Sequence, residues 1–290
     1  MVERNPEIID TDKWDLEIRP TAGWLDLKLA EVWHYRDLMM LFIKRDFIAQ
    51  YKQTILGPLW HLLQPILTTA MFLLVFGRIA KIPTDGINPI LFYMAGITFW
   101  NYFSACFIGT SNTFIANAGI FGKVYFPRLV TPLATIISSL IRFGIQFLLL
   151  ITAVIWFSVH GDPVYFSTHW LLIAPILILL AGMGLGLGII VSSLTTKYRD
   201  FQVLISFGMQ LLMFGTPIVY SLSVISNLKF AWILKLNPLT PLAEAFRYAL
   251  FGKGMFSTGW LLYSAGFMTI ALLIGLILFN KVEKSFMDTV

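Results

Sequence analysis

Stretches free of Asp, Glu, Lys and Arg alternate with short charged segments along this chain. Six apolar runs stand out: 53–77, 86–122, 129–159 (interrupted only by Arg142), 170–196, 201–228 and 254–280. Each exceeds the about 20 residues that a helix rising about 1.5 Å per residue needs to cross a roughly 30 Å hydrocarbon core. Backbone inside a bilayer must satisfy its own hydrogen bonds, so six transmembrane helices are expected. The second and third runs are long enough to tilt or to extend past the bilayer. The expected class is an all-α polytopic membrane protein.

An even number of crossings puts both termini on one side. With both in the cytoplasm, nine basic residues lie near the inner ends of the spans and six outside, a modest positive-inside bias. Residues 1–24 are polar and acidic and show no cleavable signal pattern. From 25 to 52, apolar residues at rough three-to-four spacing (Leu25, Leu29, Val32, Met39, Phe42) mix with charged ones. This suggests an amphipathic helix along the inner membrane face, or else a soluble cap on the loops. Between the fifth and sixth runs, Pro217, Pro238, Pro241, Gly252 and Gly254 break an apolar stretch that carries Glu244 and Arg247. Short re-entrant helices or a plain outer loop both fit, because proline ends helices.

Composition sharpens this reading. The 290 residues are 57% hydrophobic and only 13% charged, with a net charge of +5. That is too sparse a charge for a nucleic-acid footprint. A single cysteine, Cys106, excludes an internal disulfide, and the four histidines show no metal-ligand spacing. The acids after Asp46 are scattered singly, which argues against paired-carboxylate catalysis. The segment AGMGLGLG at 181–188 sits inside an apolar run with no preceding strand or following Gly-Lys-Ser/Thr. It reads as close helix packing, not as a phosphate loop. An ATP-driven reaction would therefore need its ATPase, with ATP and Mg, on another chain.

Arg142, deep in the third run, is expected to face a cavity, a partner or the interface, or to snorkel to the inner boundary. The aromatics Phe92, Tyr93, Phe99, Trp100, Tyr102, Phe103 and Phe107 in the second run, with Trp60 at the start of the first, fit an interfacial belt or a pore lining on which sugar C–H faces stack.

Several motifs together resemble the permease subunit of polysaccharide-exporting ABC transporters. They are Arg45-Asp46, Tyr51 to Trp60 (YKQTILGPLW), Gln64-Pro65, Lys123 to Arg128 (KVYFPR), Arg199-Asp200, Thr216 to Tyr220 (TPIVY), Asn237-Pro238-Leu239 with Glu244 and Arg247, and Lys281 to Phe286 (KVEKSF). The resemblance implies a homodimer of six-span subunits around a channel, bound to two copies of an ABC ATPase in the bacterial inner membrane. It makes 25–52 an interface helix and 53–290 the permease domain. It places an ATPase-coupling helix at 118–125 (Ala118, Gly119, Ile120, Phe121, Gly122, Lys123, Tyr125) and outer gate helices at 221–251, with Pro217, Tyr220, Asn237, Pro238, Glu244 and Arg247. The implied cargo is a polyprenyl-diphosphate-linked glycan of O-antigen type, or else a teichoic acid or capsule chain. Lys44, Arg45, Lys52 and Arg128 at the inner entrance suit a diphosphate, although positive-inside anchoring explains each of them equally. Two other readings compete: a polytopic enzyme acting on lipid-linked sugars, and an ABC permease for small lipophiles.

Overall fold

The computed structural model describes residues 29–52, 54–161, 168–195, 200–225 and 231–286, and these contain no strand. The chain begins with α1 (Leu29–His34) and α2 (Arg36–Tyr51), followed by α3 (Trp60–Phe72), which continues as a π-helical turn over Leu73–Ile79. Then come α4 (Pro89–Ser111), α5 (Thr113–Phe121), α6 (Val130–Val159) and α7 (Ile173–Thr195). The last part holds α8 (Phe201–Phe214), the short α9 (Leu222–Ile225) and α10 (Ala231–Leu236), α11 (Leu239–Phe251) and α12 (Thr258–Phe286).

Among the described residues, five helices are long and apolar enough to span a bilayer: Trp60–Ile79, Pro89–Ser111, Val130–Val159, His169–Thr195 and Thr258–Lys281. The fifth apolar run departs from the expectation of six. It yields only the 14-residue α8, roughly 21 Å of helix at about 1.5 Å per residue, before Gly215 and Pro217 turn the chain. That turn lies beside α4 within the span. A Cβ on Gly96 would stand 2.7 Å from the Ile218 carbonyl oxygen. The break is therefore met seven residues into α4, and the short helices α9 to α11 complete the segment.

Helix α4 is the buried centre, with 78% of its apolar window inside the protein, against 11% for the first span and 17% for α6 and α12. It packs on α7 because glycines remove the side chains between them. A Cβ on Gly184 would lie 2.6 Å from Cys106 Cβ, and one on Gly188 2.6 Å from Thr110 Cβ. Gly186 offset by two residues faces α12, where its Cβ would meet the Leu272 nitrogen at 2.7 Å. The glycine-rich segment is thus a two-sided notch, as its sequence context implied.

The first helices form a collar at one end. Val32, Phe42 and Ile43 are buried with Phe121, Phe126, Leu129 and Val130 in a second apolar cluster. Trp33, Met40, Leu41 and Ile48 recur at seven- and eight-residue steps on the opposite side and are exposed. The segment is therefore apolar on two faces: one packs on the base of α6, and the other offers Trp and aliphatic side chains to an interface. The extension 1–24, residues 25–28, Lys197, Arg199 and Lys229 lie outside the described residues.

Candidate functional site

At the collar end, α4 breaks into α5 at Asn112. The Asn112 amide donates to the Ile108 carbonyl four residues back, at 3.1 Å, and its oxygen accepts from Gln202 Nε2 at 3.3 Å. Such side-chain bonds compete with the helical ladder and allow the turn. Of the coupling residues expected from sequence, α5 carries Ala118 to Phe121, and Gly122, Lys123 and Tyr125 follow in the loop. Gly119, Gly122, Lys123, Val124 and Tyr125 are exposed. Phe121 is buried against Phe114 and Phe126, with ring centroids 6.1 and 5.7 Å away. The tip is thus a solvent-facing loop held by one buried ring.

The basic residues expected at the inner entrance divide. Lys44, Arg45 and Lys52 are exposed. The Arg45 guanidinium lies 4.7 Å above the Phe42 ring and donates to Asn117 Oδ1 at 3.3 Å, tying α2 to α5. Arg128 is buried, 5.4 Å over the Phe121 ring, which makes it part of the packing under the tip.

At the other end, the residues expected at the outer gate come together. Glu244 and Arg247, one turn apart on α11, are 1% and 2% exposed and joined at 2.9 Å. Arg247 also donates to the carbonyls of Pro217 and Ile218, and its guanidinium sits 4.1 Å over the Phe92 ring of α4. Burial pulls the Arg247 pKa down and the Glu244 carboxylate opposes that shift. Glu244 accepts from the backbone N–H of Leu222 at 3.3 Å and of Met255 at 3.2 Å. Asn237, next to Pro238, donates to the Gly215 carbonyl and to Thr216 Oγ1, both at 2.9 Å. Tyr220 donates to the Phe214 carbonyl at 2.8 Å. Sequence reasoning counted Phe92 among the belt or pore aromatics, not at this cluster, and it missed Asp85, which accepts from Ser221 and Ser223 and fastens the α3–α4 loop here. The solitary Asp85 in an apolar region was the available signal.

The aromatics expected along a channel are, Trp60 apart, buried within this chain. Tyr93, Phe99 and Phe103 are fully buried in the main core, and Trp100 and Tyr102 nearly so. Phe99 packs on Phe246 of α11 at 5.8 Å, and Tyr102 on Phe143 of α6 at 5.1 Å. In this conformation these five rings pack the protomer and present little surface; Trp60 alone of the set is exposed. The reason is that α4 is apolar on every side, so its sequence cannot say which face is free.

Arg142 faces a half-open cleft of about 420 Å³ between α3, α4 and α6, lined also by His61, Gln64, Asn101, Ser139 and Gln146. Arg142 donates to Ser139 Oγ at 2.8 Å, and Asn101 to Gln146 Oε1 at 3.1 Å. Among the described residues no cluster of His, Cys, Asp and Glu could hold a metal ion.

The profile of a family described as ABC-2 type transporter matches residues 37–251, from α2 through α11. The chain is 31% identical over 256 residues to an O-antigen export system permease protein RfbA of Klebsiella pneumoniae, covering 87% of this chain and 94% of that one. A protein of the same name from Myxococcus xanthus is 26% identical over 222 residues, 76% of this chain and 82% of that one. A polysialic acid transport protein KpsM of Escherichia coli is 27% identical over 252 residues, 84% of this chain and 93% of that one.

Proposed function

The chain belongs to the ABC-2 type transporter family, and on that premise we propose that it is the membrane-spanning subunit of a polysaccharide exporter. Its cargo is a polyprenyl-diphosphate-linked glycan of O-antigen type, moved across the bacterial inner membrane. It carries no engine: two copies pair around a conduit, and two copies of a separate ABC ATPase, holding ATP and Mg, drive them. Both termini are cytoplasmic, which puts the collar and the α5 tip on the ATPase side, and the Glu244–Arg247 cluster faces outward.

The observation that carries this reading is the near full-length likeness to O-antigen export permeases. The geometry supports it. The exposed Gly122–Tyr125 loop offers a contact to a cytoplasmic partner, and exposed Lys44, Arg45 and Lys52 beside it attract an anionic headgroup. The Thr216–Tyr220 turn with α11 makes a closed outer end, the place for a gate.

The test is co-expression with the candidate ATPase, reconstitution into vesicles, and measurement of ATP hydrolysis and glycan passage with a lipid-linked oligosaccharide. Stable co-purification and substrate-dependent passage are expected. Turnover of the sugar lipid by the isolated subunit, or absence of any complex with the ATPase, would refute the reading. A capsule-type glycan passing in place of the O-antigen type would keep the mechanism and change the cargo.

A further inference from the structure

The cleft between α3, α4 and α6 lies at a depth where polar groups are costly. Arg142 is twelve residues beyond Val130, the start of α6, so roughly 18 Å along the helix. Asn101 stands ten residues before Ser111, the last of α4, roughly 15 Å from that end. An amide facing hydrocarbon without a partner costs several kcal/mol, and a cation more, so a polar mouth at this depth is turned to water or to protein. The mouth is open: Gln64 and Ile108 on its rim are exposed, and among the described residues its lining comes from α3, α4 and α6 alone.

The interior is arranged as a binding site. Gln146 and Ser139 are buried; Gln146 holds the Asn101 amide across α4 and α6, and Ser139 holds the Arg142 guanidinium one turn away on α6. Tyr102 and Phe143, also lining the cleft, set two tilted rings behind them. The lining combines one cation with amides, hydroxyls and an imidazole, and none of its residues is an acid. Its volume of about 420 Å³ falls within the roughly 300–1,000 Å³ of ligand sites.

We propose that this cleft is a recognition station in the conduit wall for an anionic, hydroxyl-bearing group of the transported glycan, a sugar carboxylate or a phosphate. Arg142 supplies the charge, and Asn101, Gln146 and His61 the hydrogen bonds. The proposal rests on the exporter reading and adds to it a place where cargo chemistry is sensed.

The test uses the permease–ATPase complex in nanodiscs, with Ser104→Cys, whose side chain lines the cleft, in a Cys106→Ala background. Labelling rates are measured with an anionic and a cationic methanethiosulfonate, each normalised to glutathione. The thiol is expected to react, several-fold faster with the anionic reagent. Arg142→Gln should abolish that preference and Arg142→Lys retain it, so a poorly folding glutamine variant does not remove the test. Glucuronate or inorganic phosphate should slow the labelling where glucose does not; protection by glucuronate alone assigns a sugar carboxylate, and by phosphate alone a phosphate. An unreactive thiol, equal rates for both reagents, or equal effects of all three solutes would overturn the proposal. ATPase co-purification and substrate-dependent passage, followed in parallel with the unsubstituted protein, report separately on the exporter reading.

Discussion

Arg247 is held by a carboxylate, two backbone carbonyls and an aromatic face, all away from water. Truncating one member of such a buried pair leaves the other charge stranded, at about 3–5 kcal/mol. Arg247→Ala should therefore lower the thermal midpoint of the detergent-solubilised protein sharply, while Lys253→Ala, with an exposed side chain, should not. The Glu244–Arg247 spacing was legible in the sequence because residues three apart on a helix share a face. Their grip on Phe92 and Pro217 was not, since those contacts join segments that only the fold brings together.

Among the elements, α7 was the best written in sequence: its four alternating glycines predict close helix packing, and the fold adds that the approach is on two sides. Gly184→Val should push the α7 backbone off Cys106 and cost about 1–3 kcal/mol as overpacking, seen as a lower midpoint with assembly otherwise intact. The α4–α5 pair shows the opposite case. Its apolar run hides both the break at Asn112 and the buried side of α4, because uniform hydrophobicity carries no phase. The half-length α8 was legible only in part; Pro217 announced a stop, but the run around it was long enough to span. At the α5 tip, Lys123→Glu with Tyr125→Ala alters only exposed side chains. The double variant should keep its thermal midpoint and lose the ATPase in a pull-down; retained binding would place the contact elsewhere. Phe121→Ala differs, because its ring is buried under the tip, and about 3–5 kcal/mol of stability should go with it.

For the whole molecule, the burial pattern separates a fixed interior from open faces. Helix α8 buries only Met209 and exposes Val203, Leu204, Phe207, Leu211 and Phe214. If two copies pair along this face, a Phe207→Cys or Leu211→Cys substitution in a Cys106→Ala background should cross-link them in native membranes, and monomers alone on a non-reducing gel would exclude it. The polar cleft could not be read from sequence beyond Arg142, because its lining comes from three separate helices, spread along the chain from His61 to Gln146. Helix α4 has a mechanical meaning in this frame. It runs unbroken for 23 residues, roughly 34 Å at about 1.5 Å per residue, from the Asn112 hinge to the Phe92 seat beneath Arg247. Notched into α7, it can act as a stiff pushrod, so that a tilt imposed at its Asn112 end would be delivered, with little loss to bending, at its Phe92 end.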